Sequence, residues 1–434
     1  MFASARPALT PGRSQQTEAY MNRAPLRRSI LAGLMLSLPV TSAFADVISD
    51  WNERAVTLLL AQKLGPPAAE RVLAMMHLAM FDATNSVEPR YAPFLTKLHI
   101  SREVSKEVAA GVAAATVLLA SSPEANAPEL KQALSNDLQR VPDGPAKEEG
   151  IRVGETVAAK ILTNRKDDGS AAPDGHRPIT TPGVYVPTPR LVVAQWPGVR
   201  PFAMNKADQF RPEPPVALSS SEWAHDFNEI SKVGRFDSKS RTADQTEAAK
   251  FWISIGGDVF YPLARALIAA KKLDQTDNSR IFALIAVARA DSLIAVFDAK
   301  YHYNFWRPIT AIRNGDRDDN AETERDPLWR PIADTPMHPE YPCAHCVQAS
   351  AMCAVLEAAL GTTTFSEISM TSTTAPGAER RWTDLKSFIN EVSEARVWAG
   401  FHYRFSTRVG REMGYEIGKY VVKNLLRPVE SASK

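Results

Sequence analysis

"NSRIFALIAVARADSLIAVFDAKYHYNFWRP", residues 278–308, decides how this chain folds. Its first two thirds carry apolar residues at helical spacing with no Gly or Pro, which predicts one long helix. Pro308 disfavours helical geometry at Arg307, so the helix ends between Lys300 and Arg307. The stretch therefore delivers two basic residues and an aromatic run to one helix end.

The same periodicity recurs on both sides. "NERAVTLLLAQKL", "AAERVLAMMHLAMFDATNSV", "REVSKEVAAGVAAATVLLAS", "APELKQALSNDLQRV" and "AKEEGIRVGETVAAKILTNR" precede it, separated by short polar breaks. "CVQASAMCAVLEAALG", "GAERRWTDLKSFINEVSEARVWAG" and "STRVGREMGYEIGKYVVKNLL" follow it. No strand-like alternation is sustained and no internal repeat is present. The fold class is all-α: two helical bundles packed in one domain. Residues 46–165 form the N-terminal part and residues 221–428 the C-terminal bundle. Between them, residues 166–220 are rich in Pro and Gly but too apolar and aromatic for a disordered linker. They read as a long ordered excursion. Helices resume at Ser221 behind the cap-like "SSSEW".

Residues 1–45 are a leader. Within residues 21–45, Arg23, Arg27 and Arg28 precede a short apolar run, Ile30 to Val40, and Ala43-Phe44-Ala45 is a small-x-small cleavage site. This is the pattern of a signal peptide, too short to span a bilayer. It predicts a secreted or periplasmic protein after cleavage near Ala45, and the Arg pair is compatible with twin-arginine export. Removing the leader moves the charge from +2 to about −2. A near-neutral surface argues against nucleic acid as a partner. No later stretch predicts stable membrane insertion, and nothing in the sequence opposes a homodimer.

The three cysteines, Cys343, Cys346 and Cys353, fall within eleven residues. Zinc needs four ligands, and "PCAHC" offers only one C-x2-C. A Cys343–Cys346 disulfide is sterically open, as are plain thiols. The charged loop "RNGDRDDNAETERDP" has the composition of a calcium site but not its pattern: counting from Asp316, Ala321 and Pro327 stand where Gly and Glu are needed.

Three segments combine helix ends with basic residues: "KYHYNFWRP" with Lys300 and Arg307, "PCAHC" with His345, and "ARVWAGFHYRF" with Arg396 and His402. Singly, these read equally as surface charges beside a buried aromatic run or as core histidines. Arg396 and His402 are six apart, too far to share one helix face, unless Gly400 breaks the helix and turns them together.

Jointly they follow an ordered signature: K-x6-R-P at Lys300 to Pro308, a P-S-G-H-like Pro342-Cys343-Ala344-His345, and R-x5-H at Arg396 to His402. This resembles the superfamily of vanadium-dependent haloperoxidases and type 2 phosphatidic acid phosphatases. "HLAMFDATNSVEPRYAPF", "QFRPEPPVALSSSEWAHDFNEI", "AKYHYNFWRPITAIR" and "TPMHPEYP" resemble its secreted bacterial haloperoxidase branch. The resemblance implies a haloperoxidase- or acid-phosphatase-like fold and an oxyanion site, for vanadate or phosphate. Lys300, Arg307 and Arg396 would neutralise the equatorial oxygens, arginine suiting the task by its always-charged donor fork. Cys343 and Ala344 would line the oxyanion, where the helix after Pro342 adds backbone donors. His402 would sit axially, as vanadium ligand in a haloperoxidase or as phosphohistidine nucleophile in a phosphatase. His345 would be the acid–base, with a pKa held down by the surrounding cations. His338 is a candidate for the halide pocket, leaning to bromide.

The departures are specific. Cys343 and Ala344 replace the family's Ser and Gly, and Ala395 replaces its Ser. A thiol is a weaker donor than a hydroxyl and is liable to oxidation. The favoured reading is a vanadate-dependent haloperoxidase that takes hydrogen peroxide, a halide and a small organic acceptor. The others are a periplasmic phosphomonoesterase and a non-catalytic oxyanion binder.

Overall fold

In a computed structural model, residues 46–100, 102–187 and 191–429 are described; the leader, and with it the expected signal peptide, lies outside them. The helices are α1 Val47–Ala61, α2 Pro66–Val87, α3 Lys106–Ser121, α4 Ala127–Gln139, α5 Pro145–Arg165, α6 Ser221–Val233, α7 Ala243–Phe251, α8 Tyr261–Lys271, α9 Gln275–Tyr303, α10 Pro308–Arg313, α11 Ala344–Leu360, α12 Leu385–Trp398 and α13 Arg404–Asn424. The fold is mostly helical, as expected. Among the described residues, no helix is long and apolar enough to cross a membrane.

The stretch at 278–308 is the axis of the molecule. Asp274 caps α9 by accepting from the Thr276 and Asp277 N–H groups, and Asn304 closes it in the left-handed conformation at φ 48°. Asn tolerates that conformation better than most residues, so the chain turns there and Arg307 leaves the helix direction. α9 is buried along almost its whole length, packed against α2 on one side and α11 and α13 on the other. One apolar core runs through both groups of helices.

Two carboxylates on α9 fasten the Pro-rich excursion. Buried Asp291 accepts from the Phe202, Ala203 and Met204 N–H groups at 2.7–2.9 Å. Asp298 pairs in two-pronged fashion with Arg211 at 2.8 and 2.9 Å. Asp82 of α2 does the same for residues 94–96, accepting three backbone N–H groups. Fixed partners for these donors make the loops ordered without regular structure.

One segment departs from the helical expectation. Residues 364–384 form an antiparallel hairpin, β1 Thr364–Thr371 with β2 Glu379–Asp384, Ile368 lying opposite Trp382. The cause is a Thr-rich, β-branched run with no helical apolar stripe. The helix expected from Gly377 therefore begins only at Leu385, where Asp384 caps it through the Ser387 N–H at 2.7 Å.

α2 also buries His77, stacked on Phe282 at 5.2 Å. Arg265 donates to the Asn52 carbonyl oxygen, so the Asn52 amide nitrogen must donate to His77 Nε2 at 2.9 Å. The ring is then neutral, and burial holds its pKa down to about 3. In the unfolded chain it protonates near 6.5, so stability is intact above that value and is lost as pH falls below it. At pH 5 this linkage amounts to roughly 2 kcal/mol. Urea unfolding at pH 7 and pH 5 should show wild type losing about 2 kcal/mol more than His77→Phe; equal losses would show that His77 is not the titrating group.

Candidate oxyanion site

The C-terminal end of α9 places Lys300, wholly buried, with its Nζ donating to the carbonyls of Pro339 (3.0 Å) and Glu340 (2.7 Å). Seven residues on, Arg307 stands at the N-cap of α10. Its guanidinium donates to the carbonyls of His338 (2.9 Å) and Phe401 (3.0 Å) and to two ring nitrogens, His402 Nε2 and His338 Nδ1, both at 3.1 Å. Arg396 lies in the last turn of α12, stacked on Phe401 at 4.8 Å, donating through Nη1 to the Trp252 carbonyl. Its Nε is buried without a partner. Gly400, at φ 79°, breaks the chain after α12. A Cβ there would meet the Gly234 carbonyl oxygen at 2.5 Å, so the turn that brings His402 back to Arg396 requires glycine.

The tautomer of His402 follows from its neighbours. A guanidinium only donates, so Nε2 accepts from Arg307; the hydrogen sits on Nδ1 and is donated to Glu340 Oε1 at 2.8 Å. Oε1 also accepts the Tyr403 N–H at 3.1 Å. Burial, then Arg307, Lys300 and Arg396, hold the His402 pKa well below its ordinary value. The neutral ring presents an Nε2 lone pair inside a cluster of cations. Burial pushes the Glu340 carboxyl up to about 8, against the pull of Lys300 and Arg307.

His345 is the second residue of α11 and is buried. Its Nε2 lies 3.1 Å from the Ser254 carbonyl oxygen. A carbonyl only accepts, so Nε2 carries the hydrogen and Nδ1 keeps the lone pair. Its pKa is well below ordinary, through burial first and Arg396 second. Cys343 caps α11, and Ala344 is its first residue, buried beside it. All three cysteines are free thiols, so no Cys343–Cys346 disulfide is formed; the two sulfurs are 2.9 Å apart with Cys346 donating. Burial raises the Cys343 pKa, but the Cys346 hydrogen bond and the Arg396 charge outweigh it, leaving the thiol at about 7.

The structure thus gathers Lys300, Arg307, His338, Cys343, Ala344, His345, Arg396 and His402 around one spot. His338 is only half-buried and faces Phe297 edge-on at 5.1 Å. A cavity of about 760 Å³, walled by Tyr185, Pro187, Ile309, Thr335 and Met337, reaches Arg307 from outside. Another, of about 560 Å³ by Arg71, Leu162 and Trp196, belongs to α2 and α5 and touches none of these residues.

Three contributors were not singled out in the sequence. Glu340 carried the signal of a lone acid between two prolines. The carbonyls of Trp252 and Ser254 carried none, because a backbone acceptor has no residue type.

The charge balance constrains what the site can hold. Lys300, Arg307 and Arg396 are each at most 1% exposed, and their partners are backbone carbonyls and rings rather than carboxylates. The carboxylate among them, Glu340, is bonded to His402. Burial lowers the pKa of all three cations, that of Arg396 to about 10. Unpaired buried cations are costly, and a compact anion with several oxygens would satisfy them and the orphan Arg396 Nε together. The residues fit a tetrahedral oxyanion.

Comparisons with known proteins bear on the fold. Residues 280–431 match the family model of the VCPO second helical-bundle domain. The vanadium chloroperoxidase of Curvularia inaequalis is 25% identical over 365 residues, which covers 65% of this chain and 59% of that protein. The chain thus spans about three fifths of the length of that curated relative. The crystal structure of a bacterial vanadium-dependent iodoperoxidase superposes with a TM-score of 0.76 at 22% identity, covering 89% of this chain and 98% of that one. A holo-type bacterial vanadium-dependent chloroperoxidase gives 0.68 at 16% identity, covering 85% and 94%. The chain thus shares the fold of the bacterial vanadium-dependent haloperoxidases, and residues 280–431 are similar to the second helical-bundle domain of that family.

Proposed function

We propose that the protein is a vanadate-dependent haloperoxidase, oxidising a halide with hydrogen peroxide to hypohalous acid, which then halogenates a small organic acceptor. The observation that carries this is the set of three buried cations without a counter-ion, converging on a neutral imidazole of fixed tautomer. Lys300, Arg307 and Arg396 would hold vanadate, and His402 would hold it through the Nε2 lone pair that otherwise accepts from Arg307. When bound, vanadate supplies Lewis acidity toward peroxide at constant oxidation state.

The rest is done by the chain. Glu340 keeps the Nδ1 hydrogen of His402 in place, which fixes the ring and raises the basicity of Nε2. His345 offers Nδ1 to a proton from peroxide while Ser254 holds its other side. The Arg307 cavity admits small reactants. Bromide is the favoured halide on the resemblance that places His338, which stands beside Arg307, in the halide pocket. Export, proposed from the leader, would put the enzyme outside the cytoplasm.

The same Nε2 supports phosphomonoester hydrolysis as a second reading, since a neutral, oriented imidazole is also a nucleophile for phosphorus. One experiment separates them. Metal-free protein is assayed for bromination of a phenol dye with peroxide and bromide, with and without orthovanadate, and for release of p-nitrophenol from its phosphate ester. Bromination that appears only with orthovanadate is expected. Bromination indifferent to orthovanadate, or p-nitrophenol release that orthovanadate blocks, would discard the haloperoxidase reading.

A further inference from the structure

Cys343 and Cys346 are unusual neighbours for an oxyanion site. Cys343 is the N-cap of α11, and Cys346 is three residues on in its first turn. In that relation the cap side chain folds back over the first turn, so the two sulfurs meet: they stand 2.9 Å apart, Cys346 donating to Cys343. Both are wholly buried, and the charges of Arg396 and Lys300 act on Cys343. A cationic surrounding favours thiolate, the nucleophilic form. The third cysteine, Cys353, lies two turns further along α11, where burial raises its pKa and no sulfur partner is present. One thiol of three is therefore activated, one stands in reach to resolve it, and one is inert.

We infer that Cys343 and Cys346 form a peroxide-oxidisable dithiol within the oxyanion site, converted by a hydroperoxide into an intramolecular disulfide. The Cys343 thiolate attacks one peroxide oxygen; the S–O bond forms, the O–O bond breaks, and hydroxide leaves. Sulfur loses two electrons to peroxide, giving sulfenic acid. The Cys346 sulfur then attacks Cys343; the S–S bond forms, the S–O bond breaks, and the departing hydroxide takes the Cys346 proton as water. The disulfide is the fate that spares Cys343 from irreversible sulfinic and sulfonic acid. The inference rests on the haloperoxidase reading only for the source of peroxide, and needs neither vanadate nor halide.

The test omits both. Full-length protein, reduced and then freed of reductant, is exposed to hydrogen peroxide, unfolded in an alkylating agent, and mapped by peptide mass spectrometry. The expected result is loss of two of the three alkylatable thiols, with a linkage between residues 343 and 346 that dithiothreitol reverses in the unfolded sample. Cys353 should remain alkylated. In Cys346→Ala the same treatment should leave Cys343 as sulfinic or sulfonic acid that dithiothreitol does not restore. Three alkylatable thiols after peroxide, or irreversible oxidation of Cys343 in wild type, would overturn the inference. Because no vanadate is present, either outcome leaves the bromination assay to decide the haloperoxidase reading separately.

Discussion

His402→Ala should lower vanadate-dependent bromination on the order of a thousand-fold or more, the scale seen when the central group of a catalytic cluster is removed. The loss has a structural origin. Nε2 is the lone pair presented within the cation cluster, and Glu340 and Arg307 fix it from opposite sides of the ring. Alanine removes that lone pair but leaves Lys300, Arg307 and Arg396 in place. Calorimetric titration with orthovanadate should therefore show weaker binding, by about 2–4 kcal/mol, rather than none. Imidazole added to the variant should restore part of the activity by occupying the vacated space. A variant with wild-type orthovanadate affinity would show that His402 does not hold vanadate.

Arg396→Met should separate stability from function. Arg396 is buried, has the Trp252 carbonyl as its hydrogen-bond acceptor, and keeps Nε unpartnered. Replacing an uncompensated buried charge with an apolar side chain of similar length removes a desolvation cost of several kcal/mol. Losing the Trp252 bond and the stacking on Phe401 returns about 1–2 kcal/mol of that. Without an oxyanion, the variant should be more stable than wild type, by about 1 kcal/mol or more. Orthovanadate affinity should fall about 10–100-fold, the worth of one charge-assisted bond. Ligand linkage then inverts the order: in saturating orthovanadate, wild type becomes the more stable protein. Thermal unfolding with and without orthovanadate reads both halves. A vanadate-free variant less stable than wild type would mean that Arg396 holds the fold rather than an anion.

Much of this site was legible because its side chains are chemically distinctive and their order along the chain is fixed. Pro308 announced the end of α9 before Arg307, and Gly400 announced the turn that joins Arg396 to His402. What stayed hidden has two physical origins. Glu340 acts by its position behind His402, and that position exists only once residues 338–343 fold against α13. Trp252 and Ser254 act through backbone oxygens, to which side-chain chemistry is indifferent. The hairpin at 364–384 was missed for a different reason: it is short and half-exposed, so its apolar alternation is too weak to compete with the helices around it.

His345 lies in the first turn of α11 and His402 just before the N-cap of α13, and the spacing of those helices is set by what their contact lacks. Along α13, Gly410, Gly414 and Gly418 face α11, where a Cβ would strike the carbonyl oxygens of Cys343, Val347 and Ala351. Main chain lies against main chain, with no side chain between to compress or swivel. The gap between the two rings is in effect a hard-stop dimension of the scaffold, like a machined shoulder. If the proposed activity holds, adaptation to a new halide or acceptor falls to the loops around residues 185 and 335, because the frame behind them has no give to trade.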